Sequence, residues 1–214
     1  MEEFYVGYHP KAPEGTGRYV RIVVINLLVL VSVLAVGLVY SQRRFARSRF
    51  EFGNVTSHEG WVDSKPWPAL VESNGRSLWL VGAGKHGADP IPAGRVRIEG
   101  TLIEREGVRM LEVSNAVPTG TGSAPLTEKD LGPVSVTGEL VDTKCHLGVM
   151  NPGDGKVHRD CAIRCLRGGV PAAIRTRDGR LYFLDGKYPE RPAEPLTLHG
   201  RAIERGDRLL LRVE

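Results

Sequence analysis

The chain has 214 residues, with 29 Lys and Arg against 25 Asp and Glu, 41% hydrophobic content, 25% charged content and three cysteines. Enough apolar side chain is present to offset chain entropy, which excludes a disordered composition. Three thiols cannot staple a chain this long, which excludes a cysteine-rich secreted scaffold. The net charge of +4 is small and spread along the sequence, so it does not by itself imply nucleic acid.

After an N-terminal tail (1–21), the first predicted element is Ile22–Tyr40 (IVVINLLVLVSVLAVGLVY), in which Asn26 and Ser32 are the only clearly polar residues. Its nineteen residues span about 28 Å as a helix, close to the hydrocarbon thickness of a lipid bilayer. Lys11, Arg18 and Arg21 precede it, and Arg43, Arg44, Arg47 and Arg49 follow. Tyr19 and Tyr40 sit where interfacial aromatics belong. The run is longer than the apolar stretch of a signal peptide, and no clear Ala-x-Ala site follows it. The reading is therefore a retained single-pass anchor. Counted literally, the flanking charges slightly favour a cytoplasmic C-terminal domain.

The rest of the chain is punctuated by Gly and Pro and carries short apolar alternations, which predicts a mainly β structure. It also repeats. Gly100-Thr-Leu-Ile-Glu-Arg and Gly200-Arg-Ala-Ile-Glu-Arg match at an offset of 100, followed by Leu111 and Val113 against Leu211 and Val213. Upstream, Val62-Asp-Ser-Lys65 echoes Val141-Asp-Thr-Lys144, and Leu78-Trp-Leu-Val-Gly82 echoes Leu181-Tyr-Phe-Leu-Asp-Gly186. Each copy has room for about five short strands with glycines at the corners, as in a small barrel of the OB type, with a partly open sandwich as the main structural rival. The expected organisation is a transmembrane helix, a first OB-like domain over 50–117, a linker over 118–131 and a second OB-like domain over 132–214.

The copies differ most after the shared Val-Asp-x-Lys block. The first passes quickly through Pro66-Trp-Pro68, whereas the second inserts a cassette over 145–171 that holds all three cysteines. Asp154 is placed to cap a helix starting near Gly155, with Gly168, Gly169 and Pro171 ending it. On that helix His158, Cys161 and Cys165 are i, i+3 and i+7 and share a stripe, and Cys145 can face it from the preceding strand. The pattern Cys-x12-His-x2-Cys-x3-Cys offers three sulfurs and one imidazole, which suits zinc, copper or an iron–sulfur cluster. Asp142 and His146 are candidate outer partners or a spare ligand. Two plainer readings stand beside this one: a disulfide from Cys145 to a helical cysteine, and buried thiols packed as small hydrophobes. No Cys-x-x-Cys-His haem motif and no glycine-rich phosphate loop occurs.

These blocks resemble a group of small bacterial secreted or membrane-tethered proteins. The residues that carry the likeness are Val141, Asp142 and Cys145; His158, Cys161, Ala162 and Cys165; Gly168, Gly169 and Pro171; and Asp178, Gly179, Leu181 and Tyr182. The likeness covers about 135–214, and the anchor with Phe4-Tyr-Val-Gly-Tyr8 looks like a longer, membrane-bound subset. It implies a bacterial inner-membrane protein with its soluble domains on the periplasmic side, against the charge count, and it brings no chemistry.

The leading expectation is a non-enzymatic, membrane-anchored accessory or electron-transfer subunit beside a membrane redox or metal-handling partner. A second is an OB-type module for an oligonucleotide or oligosaccharide, with Trp61, Trp67, Lys85 and His86 of the first copy as its ligand face. Against a nucleic acid partner, Arg and Glu alternate along the strands as on solvated faces. A third is a thiol–disulfide redox protein using Cys145, Cys161 and Cys165.

Overall fold

The computed structural model describes residues 13–42 and 48–214. Lys11, Arg43, Arg44, Arg47 and the Phe4–Tyr8 segment lie outside the described residues. The chain divides into two compact units, Met1–Ala46 and Arg47–Glu214.

In the N-terminal unit, α1 (Glu14–Gln42) extends the predicted run at both ends, and none of its residues is buried. Among the described residues it is the helix long and apolar enough to cross a bilayer. The Asn26 amide, inside the apolar run, does not conflict with that environment. Asn26 Nδ2 donates to Ile22 O, one turn back, at 2.8 Å, so its donor is satisfied within the helix itself.

The second unit holds two closed five-stranded barrels. The first comprises β1 (Ser48–Asp63), β2 (Ala69–Glu72), β3 (Ser77–Val81), β4 (Arg95–Arg105) and β5 (Val108–Gly120). The second comprises β6 (Glu128–Asp142), β7 (Ala172–Thr176), β8 (Leu181–Asp185), β9 (Pro195–Arg205) and β10 (Arg208–Val213). Their strand orders, β1-β2-β3-β5-β4 and β6-β7-β8-β10-β9, are the same order written twice. In each, the third strand runs parallel to the fifth and all other pairs are antiparallel. The repeated glycine has a clear job here. A Cβ on Gly100 would sit 2.3 Å from Glu112 O, and one on Gly200 would sit 2.1 Å from Arg212 O. Only glycine lets the last hairpin close that tightly.

Two details depart from the sequence reading. Strands reach into 118–131 from both sides, so the stretch without strand is 121–127, because backbone pairing with β4 and β9 continues through these exposed ends despite the turn-rich composition. The Leu78–Gly82 match is also offset by one. Trp79 pairs with Met110 and Phe183 with Leu210, so Trp79 corresponds to Phe183 and not to Tyr182.

The barrels share a core. Leu70, Leu78, Leu80, Val96, Ile98 and Leu111 fill the first, and Val136, Leu140, Ile174, Leu184, Leu198 and Leu211 fill the second. A third cluster joins them, built from Trp79, Val81, Ile103 and Met110 on one side and Cys145, Leu147, Cys165, Phe183, Ile203 and Leu210 on the other. This is why β3 is buried at every residue and reads as a continuous apolar run: one face lines its barrel and the other meets the neighbour. The repeated Ile-Glu-Arg blocks reach across the same junction. Arg205 makes a two-pronged pair with Asp63 at 2.8 and 2.9 Å, and Arg105 donates to His146 O at 2.8 Å.

Candidate metal centre

The cassette leaves the end of β6, between the first and second strands of the second barrel. Cys145 begins a short helical turn (Cys145–Val149), and its backbone N–H donates to Asp142 Oδ1 at 2.9 Å. A second turn (Lys156–His158) leads into α2 (Arg159–Arg167), whose buried side carries Ala162, Cys165 and Leu166. The helix ends as its glycines predict. Gly169 has φ 89°, its N–H donates to Leu166 O, and the Val170 N–H donates to Cys165 O, the paired bonds of a glycine-terminated helix. Thr143 ties the two ends of the cassette together, its backbone N–H and its hydroxyl both donating to Pro171 O.

The start of the helix differs from expectation. His158 ends the turn before α2, and Asp154 does not cap the helix. Asp154 lies 3.2 Å from His146 Nδ1 and 3.4 Å from Arg175 Nε, while Glu139 accepts the Gly155 N–H at 2.5 Å. A partly buried carboxylate gains more from the Arg175 guanidinium and the His146 ring together than from one amide. For the same reason His146 faces Asp154.

The remaining cassette residues converge. Cys145, His158 and Cys161 offer ligand atoms that lie within 4.8 Å of one another, and Asp142, Cys145 and Cys165 form a second such group. The four ligands expected from the sequence therefore fall in two overlapping groups that share Cys145. This Cys/His cluster could hold a metal ion. All three cysteines are free thiols, with Cys145 and Cys165 buried and Cys161 partly exposed. Cys145 Sγ and Cys165 Sγ are 4.0 Å apart.

Asp142, fully buried, links the strand to the helix, because His158 Nε2–H donates to its Oδ2 at 2.9 Å. That bond, working against burial, raises the pKa of His158. With Nε2 committed to the carboxylate, Nδ1 is the ring atom that would serve a metal. Among the thiols, contact with Cys165, then burial, pushes the Cys145 pKa far up, while contact with Cys145 pulls Cys165 down against burial. The first barrel contributes as well. Lys85 Nζ donates to Cys161 Sγ at 2.9 Å, and this contact raises the pKa of Lys85.

The proposed ligand face of the first barrel does not assemble as one surface. Trp67 is turned to the second barrel, its indole N–H donating to Leu184 O at 2.8 Å. It lines a cleft of about 650 Å³ with Lys65, Tyr188, Arg205 and Arg212. Trp61 instead lies under the Arg95 guanidinium, 5.4 Å from its ring centre. His86 is exposed next to Lys85, and its carbonyl accepts the Gly82 N–H. The sequence marks Lys144 only as the end of the repeated Val-Asp-x-Lys block; it is 1% exposed and lies beside Cys145. Comparisons with protein families, with curated proteins and with solved structures found no match to this chain.

Proposed function

We propose that the chain is a non-enzymatic, membrane-anchored metal-handling or electron-transfer subunit whose centre is held by Cys145, His158, Cys161 and Cys165. The observation that carries this reading is the convergence of Cys145, His158 and Cys161 donor atoms within 4.8 Å of one another. A tetrahedral ion with metal–sulfur bonds of about 2.3 Å needs sulfurs about 3.8 Å apart. The Cys145–Cys165 separation of 4.0 Å suits that spacing, so small side-chain rotations would complete a four-ligand set. The donor chemistry favours zinc, copper or an iron–sulfur cluster. The Asp142–His158 bond adds the carboxylate–histidine arrangement that orients ligating imidazoles.

In this reading α1 tethers the chain to a bacterial inner membrane, with the barrels and their centre in the periplasm beside a membrane redox or metal-handling partner. The resemblance of 135–214 to secreted and tethered proteins supports that side. Elemental analysis of the purified protein tests the proposal. About one equivalent of metal or one cluster is expected, lowered by Cys161→Ser and by His158→Ala. Metal-free protein with unchanged folding defeats it.

The same 4.0 Å spacing favours a second reading, thiol–disulfide exchange through Cys145 and Cys165. Thiol counts with and without a chelator separate the two. Three thiols that react only after chelation mean metal, whereas one free thiol and a reducible bridge mean exchange.

A further inference from the structure

Resting on the metal reading above, we propose that Lys85 of the first barrel is a positioning residue of the metal centre, donating an N–H···S hydrogen bond to the Cys161 thiolate, so that both barrels build the site. The loop that carries Lys85 is pinned on each side of it. On one side, the buried Lys144 ammonium donates to Gly82 O and Gly84 O, both at 2.7 Å, and pairs with Glu112 Oε2 at 2.5 Å. Three acceptors satisfy all three of its N–H groups. On the other side, the Gly87 N–H donates to Gly168 O at 2.8 Å.

That second contact is backbone on backbone. A Cβ on Gly87 would lie 2.4 Å from Gly169 O, and one on Gly168 would lie 1.9 Å from Lys85 O. One anchor is thus the residue before Cys145, and the other is the end of the helix that carries Cys161 and Cys165. The loop cannot shift relative to the sulfurs without breaking one of these contacts.

The placement matters because Cys161 is the one thiol of the three that is not buried. A metal-bound sulfur open to water is where protonation or a competing chelator first acts. Lys85 sits on that sulfur and brings a positive charge 2.9 Å from it. Three thiolates, one neutral imidazole and a divalent ion carry a net negative charge, with the Asp142 carboxylate adding to it, so a cation held at this point stabilises the loaded centre. The role of the first barrel is then to present this ammonium.

The test uses the full chain in detergent, loaded with zinc and challenged with a chelator. Lys85→Met is expected to weaken zinc retention about 10- to 100-fold, the range for outer partners of metal ligands. Lys85→Arg, which keeps a charged donor, is expected to restore most of it. With cobalt in place of zinc, loss of the N–H···S bond raises the sulfur donor level. The thiolate-to-cobalt charge-transfer band should then move to lower energy in Lys85→Met but not in Lys85→Arg. Gly87→Ala, which displaces the loop and leaves Lys85 in the sequence, is expected to reproduce the Lys85→Met loss. If wild type holds zinc and Lys85→Met matches it in affinity and cobalt spectrum, the role assigned to Lys85 is overturned alone. If wild type holds no metal, both this role and the metal reading fall.

Discussion

Trp79 of the first barrel stacks on Phe183 of the second, with ring centroids 3.9 Å apart and planes inclined by 16°. The two occupy corresponding positions of the repeat, each on the third strand of its barrel, so the duplicated sequence meets itself at the junction. Both rings are buried. The barrels are therefore expected to unfold together. Trp79→Ala removes a buried indole from the shared cluster and should cost about 3–5 kcal/mol. Circular dichroism and tryptophan fluorescence followed in urea should give one coincident transition that moves as a unit. Two separated transitions, with the second barrel unaffected, would contradict a shared core.

Much of this architecture was legible in the chain, for definite reasons. The apolar run before Tyr40 exceeds anything a soluble core of this composition needs, and the Gly-x-x-Ile-Glu-Arg blocks mark the same tight hairpin twice. The cassette was visible because it interrupts one copy and not the other. What stayed hidden was the meeting of the barrels. A strand buried on both faces, such as β3, and a strand buried on one face both read as apolar, so the pattern does not say what covers the second face. In the sequence Lys85 reads as part of a ligand face and Lys144 only as the end of a repeated block, and neither points to its partner. Their partners are 76 residues away in Cys161 and 62 away in Gly82, distances that local spacing does not encode. Asp154 reads as a cap in the sequence, but its pairing with His146 and Arg175 depends on the fold of the whole cassette.

Lys144 provides a sharper test of the junction. Its ammonium holds two carbonyls of the first barrel and the Glu112 carboxylate, whose side chain keeps 22% exposure. Lys144→Met preserves the aliphatic stem but leaves those acceptors unpaired. Breaking a buried pair from one side costs about 3–5 kcal/mol, and the partial hydration of Glu112 places this case near about 3 kcal/mol. Urea unfolding should show that loss, and amide exchange should quicken first at Gly82 and Gly87, whose N–H groups donate to His86 O and Gly168 O. Unchanged exchange at Gly82 and Gly87 would mean that Lys144 does not hold the loop.

Asp63 sets the acid limit of the same junction. Burial alone would raise its pKa, but the hydrogen bonds from Arg205 and Arg208 outweigh burial and leave it below the ordinary value of 3.8. A carboxyl depressed on folding contributes stability that is present above its unfolded pKa and disappears as pH falls towards the folded one. The contribution should thus be constant from neutral pH down to about 4 and decline below that. Asp63→Asn leaves the Arg208 guanidinium, with its side chain only 2% exposed, without its charge partner, which should cost about 2–3 kcal/mol at neutral pH. In urea melts the gap between wild type and Asp63→Asn should narrow only in the acid range. A gap independent of pH down to strong acid would show that the carboxylate charge is not what Arg205 and Arg208 recognise.

The carboxylate beside the sulfurs allows a test that separates metal chemistry from packing. Asp142 accepts from the Cys145 N–H through Oδ1 and from His158 Nε2–H through Oδ2. Asp142→Asn keeps the size and can keep the first bond, because an amide oxygen also accepts. At the second position an amide N–H would face Nε2, so the imidazole must turn that nitrogen into an acceptor and carry its proton on Nδ1. Nδ1 is the atom the metal needs, and a ring held in the wrong tautomer cannot ligate there. Zinc affinity is therefore expected to fall about 10- to 100-fold in Asp142→Asn. His158→Ala should lower it as well, and the double variant should be little worse than His158→Ala alone, since Asp142 acts through the ring. Chelator competition on the three proteins measures this directly. Additive losses would show that Asp142 acts on the centre by a route other than His158.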